Sequence, residues 1–206
     1  MPDRPIPDEL TGGWERVTIA IGDAEPHEDC LVWWLQAPSR HADLRIPTAD
    51  SGRPLCFAGT TSWKEPSLTW TPAVTLEPSD GVDTGVISWD GDDLLEAGTF
   101  ATDAGPVRYV ERWRRLPGSD VPLLALERDD GRIVRAGPYA LTLLDTRPGG
   151  AFLAVAWRLR GDRWVEEHRW PPDSTATAAS PPTEMPKGIT IVLDDARVWV
   201  VVEAVS

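Results

Sequence analysis

Cysteine, histidine and basic residues are scarce in this 206-residue chain, and each scarcity closes off a class of chemistry. Its only cysteines, Cys30 and Cys56, form no C-x-x-C pair and read as two reduced, buried thiols. With only His27, His41 and His168 beside them there is no cluster spaced for zinc, so no metal is expected. A G-x-S-x-G elbow, a P-loop, a dinucleotide fingerprint and an H-E-x-x-H pair are all missing, which argues against triad hydrolases, nucleotide enzymes and zincins. Twenty basic residues face 33 acidic ones, and a net charge of −13 repels polyanions, so neither nucleic acid nor an anionic membrane is expected as a partner. There is no apolar run of 18 residues, and the opening MPDRPIPDEL carries no apolar stretch of the signal-peptide kind. The expectation is a soluble cytoplasmic protein.

Long helical periodicity is missing too, while 20 prolines and 17 glycines punctuate short apolar stretches. That pattern belongs to many strands joined by turns. Tryptophan dominates the aromatics, with 11 residues against three phenylalanines and two tyrosines. After a proline-rich acidic start, with room for a helical turn over 7–10, come the strand-like stretches ERVTIAIG, CLVWWLQ, HADLRIP, RPLCFAG and LTWTPAVTLEP. CLVWWLQ puts Trp33 and Trp34 on opposite faces, so at least one of them needs a covering element or a ligand. PSDGVDTG is dense in turn residues, and Asp90-Gly91-Asp92 closes a hairpin; these acidic turns lack the ligand spacing of an EF-hand and read as turn chemistry. LPGSDVP, at 116–122, marks a joint between two β-rich halves of a single domain spanning 1–206. Beyond it, hairpins turn at Asp129-Asp130-Gly131, Gly161-Asp162 and Asp194-Asp195. Residues 171–187, rich in Pro, Ser, Thr and Ala, read as a mobile loop, either lid or spacer. The final strand is apolar at nearly every residue, which predicts burial on both sides.

The organising stretch is LLEAGTF followed by YVERW. On the second strand Tyr109, Glu111 and Trp113 share one face, while Arg108, Val110, Arg112 and Arg114 share the other. The arginine face meets water, which sends Glu111 inward between two aromatic rings. Glu96 takes the matching place on the preceding strand. In HADLRIP the face of His41, Asp43 and Arg45 is either a solvated outer wall or part of a lumen, where Arg45 neutralises an interior carboxylate. Trp164, Glu166, His168 and Trp170 repeat the polar-in-aromatic pattern late in the chain.

A dozen or more antiparallel strands, with no room for crossover helices, predict an all-β meander that closes into a barrel and so removes its edges. Surplus strands would cap that barrel or form a partial second one. Gly12-Gly13-Trp14, opening the first strand, resembles the G-x-W signature of the lipocalin or calycin superfamily, antiparallel barrels that bind small hydrophobic molecules. The resemblance covers three residues, and Asp145-Thr146-Arg147 is no counterpart of the family's T-D-Y motif. It implies that Trp14 seals the closed end of the barrel with a late-strand arginine over it, a role for which Arg197 is the candidate. Some barrels of that kind hold haem on a lone histidine, but nothing around His168 marks it as an axial ligand, and no cofactor is expected.

Two functions follow from the same groups. One is a barrel that binds a small apolar or amphipathic molecule against tryptophan walls, using Trp34, Trp70 and Trp113, with Arg45, Asp43, Tyr109, Glu111 and His168 fixing its polar end. The other is a cofactor-independent acid/base enzyme of isomerase, cyclase or hydratase type, in which Glu111 or Glu96 moves the proton. A structural ion pair of Glu111 with Arg45, in a barrel without ligand, is the third reading. The enzyme reading requires Glu96 and Glu111 to face inward together, and a core filled by the tryptophans would count against both functional readings.

Overall fold

The structure, a computed structural model, describes residues 6–49, 52–77, 82–103, 105–186 and 188–206. The start of the proline-rich N-terminus and residues 78–81 of the expected PSDGVDTG turn lie outside the described residues, as does Lys187. Among the described residues there are strands and one 3-10 turn, Asp8–Leu10, but no α-helix. None of these elements is a helix long and apolar enough to cross a membrane.

Eight strands close into an antiparallel barrel in sequence order: β1 (Gly12–Ile21), β2 (Cys30–Gln36), β3 (Arg40–Pro47), β4 (Leu55–Lys64), β5 (Ser67–Thr75), β6 (Asp83–Asp90), β7 (Asp93–Thr102) and β8 (Gly105–Arg115). Pairing of β1 with β8, from Trp14↔Arg115 to Ile21↔Tyr109, completes the ring. The surplus strands are β9 (Leu123–Arg128), β10 (Gly131–Ala136), β11 (Tyr139–Asp145), β12 (Phe152–Arg160), β13 (Arg163–Trp170), β14 (Thr190–Val192) and β15 (Val198–Val205). They form an open seven-stranded sheet in the order β13-β12-β11-β10-β9-β15-β14. This sheet lies along the side of the barrel, where β10 and β11 pack against β2–β5.

Period-2 alternation decides which residues meet. Trp34 points into the barrel, while Trp33 points out of it, edge-on to Tyr139 of the second sheet at 5.3 Å. The layer between barrel wall and sheet joins Trp33, Leu35, Ala42, Leu44, Cys56 and Ala58 to Ala125, Val134, Ala136, Leu141, Ala154 and Ala156. So many alanines on both surfaces let the two backbones approach closely. Cys56 is buried in this layer, whereas Cys30 is only half-buried; the two thiols are free.

On the far face of the sheet, residues 171–186 carry no strand or helix, yet Ala178 and Ala179 are buried against Leu126, Ile133, Val155 and Trp199. Thr142 Oγ1 donates to the Ala179 carbonyl (2.9 Å), and Arg135 Nη1 donates to the carbonyls of Pro182 and Thr183 (2.9 Å each).

Two expectations about the late strands are corrected here. The final strand, β15, is not buried on both sides: Val198 and Val200 are exposed, because only the three-residue β14 lies beyond it and only Trp199 and Val201 turn to the covered face. On β13 the shared face of Trp164 with His168 and Trp170 is broken by a bulge, since Trp157 pairs with Glu166 while Ala156 pairs with His168. The extra residue inverts the alternation. Trp164 therefore joins the covered face, Trp170 the layer against the barrel, and His168 lies 6.0 Å from the Trp33 ring, outside the lumen.

Candidate functional site

The barrel interior is stratified from its closed end to its open end. At the closed end Leu10 of the 3-10 turn is buried, and its carbonyl accepts from Trp14 Nε1 (3.2 Å). Trp14 stacks on Trp34 at 6.1 Å, and Trp34 meets Trp70 and Trp113 edge-on at 5.5 and 5.6 Å. The arginine over Trp14 is Arg115, 4.2 Å from the ring, because it ends the strand paired with β1. Arg197, expected in that role, instead lies beside Asp130 in the second sheet. Also in this half, His41 is fully buried with Nδ1 2.9 Å from Thr61 Oγ1, and burial pushes its pKa down to about 3, so it is neutral.

Above the tryptophans sits a layer of charge. His41, Asp43 and Arg45 turn into the lumen, and Arg45 donates through Nε and Nη2 to Asp43 (2.9 and 3.2 Å) and through Nη1 to Glu111 Oε1 (2.9 Å). The same Glu111 oxygen accepts from Arg16 Nη1 at 2.5 Å. Arg16 also grips both oxygens of Glu28 through Nε and Nη2, at 2.7 and 3.0 Å. Glu111 is 2% exposed, and its other oxygen, Oε2, has no hydrogen-bond partner among the described residues.

Glu96 and Glu111 face inward together, directly opposite each other on β7 and β8. Glu96 accepts from Tyr109 Oη (2.9 Å) and Trp113 Nε1 (3.2 Å), and among the described residues it forms no ion pair. Burial first, then the negative charges of Glu111 and Asp83, hold its pKa well above the ordinary carboxylate range against the opposing pull of Arg45. Asp43 is raised by burial as well, although Arg45 counteracts this. For Arg45 burial opposes the charge, but Asp43 and Glu111 outweigh it and keep the guanidinium protonated.

Two glycines make this packing fit. A Cβ on Gly98 would strike the Tyr109 ring, and one on Gly85 would come within 2.5 Å of Glu96 Cγ. Glycine at these places lets side chains lie flat across the neighbouring strand.

Toward the open end the strands part. Pairing of β5 with β6 reaches only Trp70↔Asp83, and that of β6 with β7 only Val86↔Ala97. A cavity of about 570 Å³ occupies this end, walled by Ile19, Leu55, Phe57, Pro72, Val82 and Phe100, with Arg45, Asp83, Tyr109 and Glu111 on its polar side. The expected tryptophan walls are therefore corrected: Trp34, Trp70 and Trp113 pack on one another in the closed half, around a void of only about 10 Å³ that also touches Asp43 and Glu96. That leaves the site without His168 and divides the other expected residues between cavity and plug.

Arg16, Glu28 and Asp83 escaped sequence reasoning. Arg16 shares a strand face with Trp14, two residues away, which was the available signal; the shift in pairing after it, between Arg16 and Thr18, hid the parity of the strand. Asp83 sat inside what read as a turn, and no pattern marked it. The donor atoms of Glu28, Asp29 and Cys30 lie within 4.8 Å of one another, but both Glu28 oxygens are committed to Arg16, which accounts for the grouping without a metal.

The family model described as Protein HRI1 matches residues 14–203. Among solved structures, the crystal structure of an uncharacterized protein of Saccharomyces cerevisiae, YLR301w, has a TM-score of 0.74 at 16% sequence identity, covering 95% of this chain and 99% of that one. At this identity the likeness bears on the fold alone. No curated protein matches the sequence. The closed eight-stranded barrel is compatible with a calycin-like architecture, and the family model that matches is named for HRI1.

Proposed function

The chain belongs to the HRI1 family, and for this member we propose that the open half of the barrel binds a small amphipathic molecule. The observation that carries the reading is the cavity itself. About 570 Å³ lies within the range that holds drug-sized ligands, and its apolar walls converge on a few polar groups at one end. A barrel whose interior served packing alone would be filled throughout, as the closed half is by its tryptophans. Buried charge at the polar end is costly unless its hydrogen bonds are complete, and Glu111 Oε2 leaves them incomplete.

Acid/base catalysis by Glu111 and Glu96 is the second reading. It is favoured by the raised pKa of Glu96, which keeps a neutral acid beside the Arg-paired Glu111. It is weakened by position, because Glu111 lines the cavity whereas Glu96 borders only the small inner void. A substrate in the cavity meets one of the two carboxyls.

The test is a thermal-shift screen of amphipathic small molecules, since a ligand of the folded state alone raises its stability, by about 2.7 kcal/mol at a hundredfold excess over Kd. Leu55→Trp, which adds bulk at the cavity wall, is expected to abolish the shift while leaving the fold intact by circular dichroism. Shifts that persist in Leu55→Trp would place binding elsewhere.

A further inference from the structure

The cavity also indicates which kind of polar end it accepts, an inference that rests on the binding reading above. Arg45 is the cation at its floor, and every nitrogen of that guanidinium is already engaged, Nε and Nη2 by Asp43 and Nη1 by Glu111. Arg16, behind it, is divided between Glu111 and Glu28. Two guanidiniums thus serve Asp43, Glu111 and Glu28, and Asp83, exposed on the cavity wall, forms no ion pair among the described residues. Two acceptors stand out at this end: the Asp83 carboxylate, which forms no ion pair among the described residues, and the buried Glu111 Oε2, which has no hydrogen-bond partner among them. Around them stand Phe57, Phe100 and Tyr109, the last two stacked at 6.2 Å, whose ring faces attract cations.

We propose that the ligand of this barrel is an amine, an apolar body ending in a primary or secondary ammonium, which seats its donors against Asp83 and the Glu111 floor. Such a group supplies the positive charge and the N–H donors that the site lacks. A carboxylate or phosphate end would bring a further anion to a place where carboxylates already outnumber guanidiniums, and would have to share Arg45 with Asp43 and Glu111.

Three probes of one shape separate the cases: 4-phenylbutylamine, 4-phenylbutanol and 4-phenylbutanoate, titrated calorimetrically into the full chain at neutral pH. The expected order is amine first, alcohol second and acid last, with the amine about tenfold or more tighter than the acid, as a charge pair in a partly desolvated site provides. Asp83→Asn should bring the amine down to the level of the alcohol and leave the alcohol unchanged. Leu55→Trp should remove binding of all three. An acid that binds as well as the amine, or an amine preference that survives Asp83→Asn, overturns the proposal while binding itself stands. Failure of all three probes to bind the folded wild type overturns the binding reading, and the amine proposal with it.

Discussion

The barrel and the sheet beside it solve the same problem, how to cover the apolar face of an antiparallel sheet, in different ways. The barrel closes on itself and then leaves its upper half hollow, with polar groups answered by other charged side chains: Arg16 and Arg45 against Glu28, Asp43 and Glu111. The open sheet is covered by its own chain, and Thr142 and Arg135 beneath that cover are answered by its backbone. Thr142 and Arg135 donate to carbonyls of residues 179–183, while Trp157 Nε1 donates to Thr142 (3.0 Å). A cavity of about 410 Å³ lies at the margin of that cover, beside Arg128, whose charge is paired with Asp130 and Asp195. The barrel's ion cluster borders a cavity, whereas the segment over the open sheet packs Ala178 and Ala179 onto the sheet itself.

The largest effect should come from breaking the cluster. Arg16→Met leaves Glu28 without its cation and Glu111 with Arg45 alone, and removing one partner of a buried pair costs about 3–5 kcal/mol. Chemical denaturation would show it as a lower midpoint at unchanged slope. The double variant Arg16→Met with Glu111→Leu should recover part of the loss, because the buried charge goes with its partner. A single-variant loss below about 1 kcal/mol would mean that the two carboxylates are not ionised in the barrel, and the contrast with the second sheet would vanish.

Adding volume to each region sharpens the contrast. Ala179, fully buried beneath the covering segment, has no space, so Ala179→Leu should cost about 1–3 kcal/mol through overpacking. Leu55→Trp, at the cavity wall, should stay within about 0.5 kcal/mol of wild type. Equal losses in thermal unfolding would show that the cavity is not open space.

Legibility in the sequence follows the same division. The many strands, the closed barrel and the inward face of Tyr109, Glu111 and Trp113 were all visible, because strict alternation survives wherever the ladder is regular. Where a bulge inserts a residue the parity inverts without any trace in composition, so His168 was assigned to the lumen and Arg16 was missed. Alternation also cannot tell one interior from another. HADLRIP read first as a solvated wall and second as lumen, and the second sheet, by covering Ala42 and Leu44, turns Asp43 and Arg45 inward. Nor does any local pattern reveal how high a tryptophan sits along the barrel, which decides whether it plugs the core or walls a cavity.

Proton linkage offers a subtler break. Glu96 has a folded-state pKa above its ordinary value of 4.5, so the folded state holds a proton that the unfolded chain releases. Its contribution is intact below about 4.5 and is lost as pH rises toward the raised folded value, at about 1.4 kcal/mol per pH unit for one proton. Glu96→Gln carries no such proton. It should start less stable in acid, having lost one acceptor for Tyr109 or Trp113, then gain on wild type as pH rises through that window. Parallel pH profiles of the two unfolding midpoints would show that Glu96 is ionised like any surface glutamate.

The smallest effect concerns the two arginines that competed for the closed end. Arg115 lies over Trp14 and donates to the Thr11 carbonyl at 2.6 Å, tying β8 to the turn that seals the barrel. Arg115→Ala should therefore cost about 1–2 kcal/mol, from one cation–π contact and the hydrogen bonds to the Thr11 and Glu9 carbonyls in a half-buried place. Arg197, half-exposed beside Asp130, should tolerate alanine within about 0.5 kcal/mol. Because Trp14 is fully buried and stacked on Trp34, its fluorescence adds a second readout. Arg115→Ala should alter the emission of the tryptophan cluster, and Arg197→Ala should not. Were Arg197→Ala the more damaging of the two, the closed end would owe its stability to the second sheet and not to the barrel's own last strand.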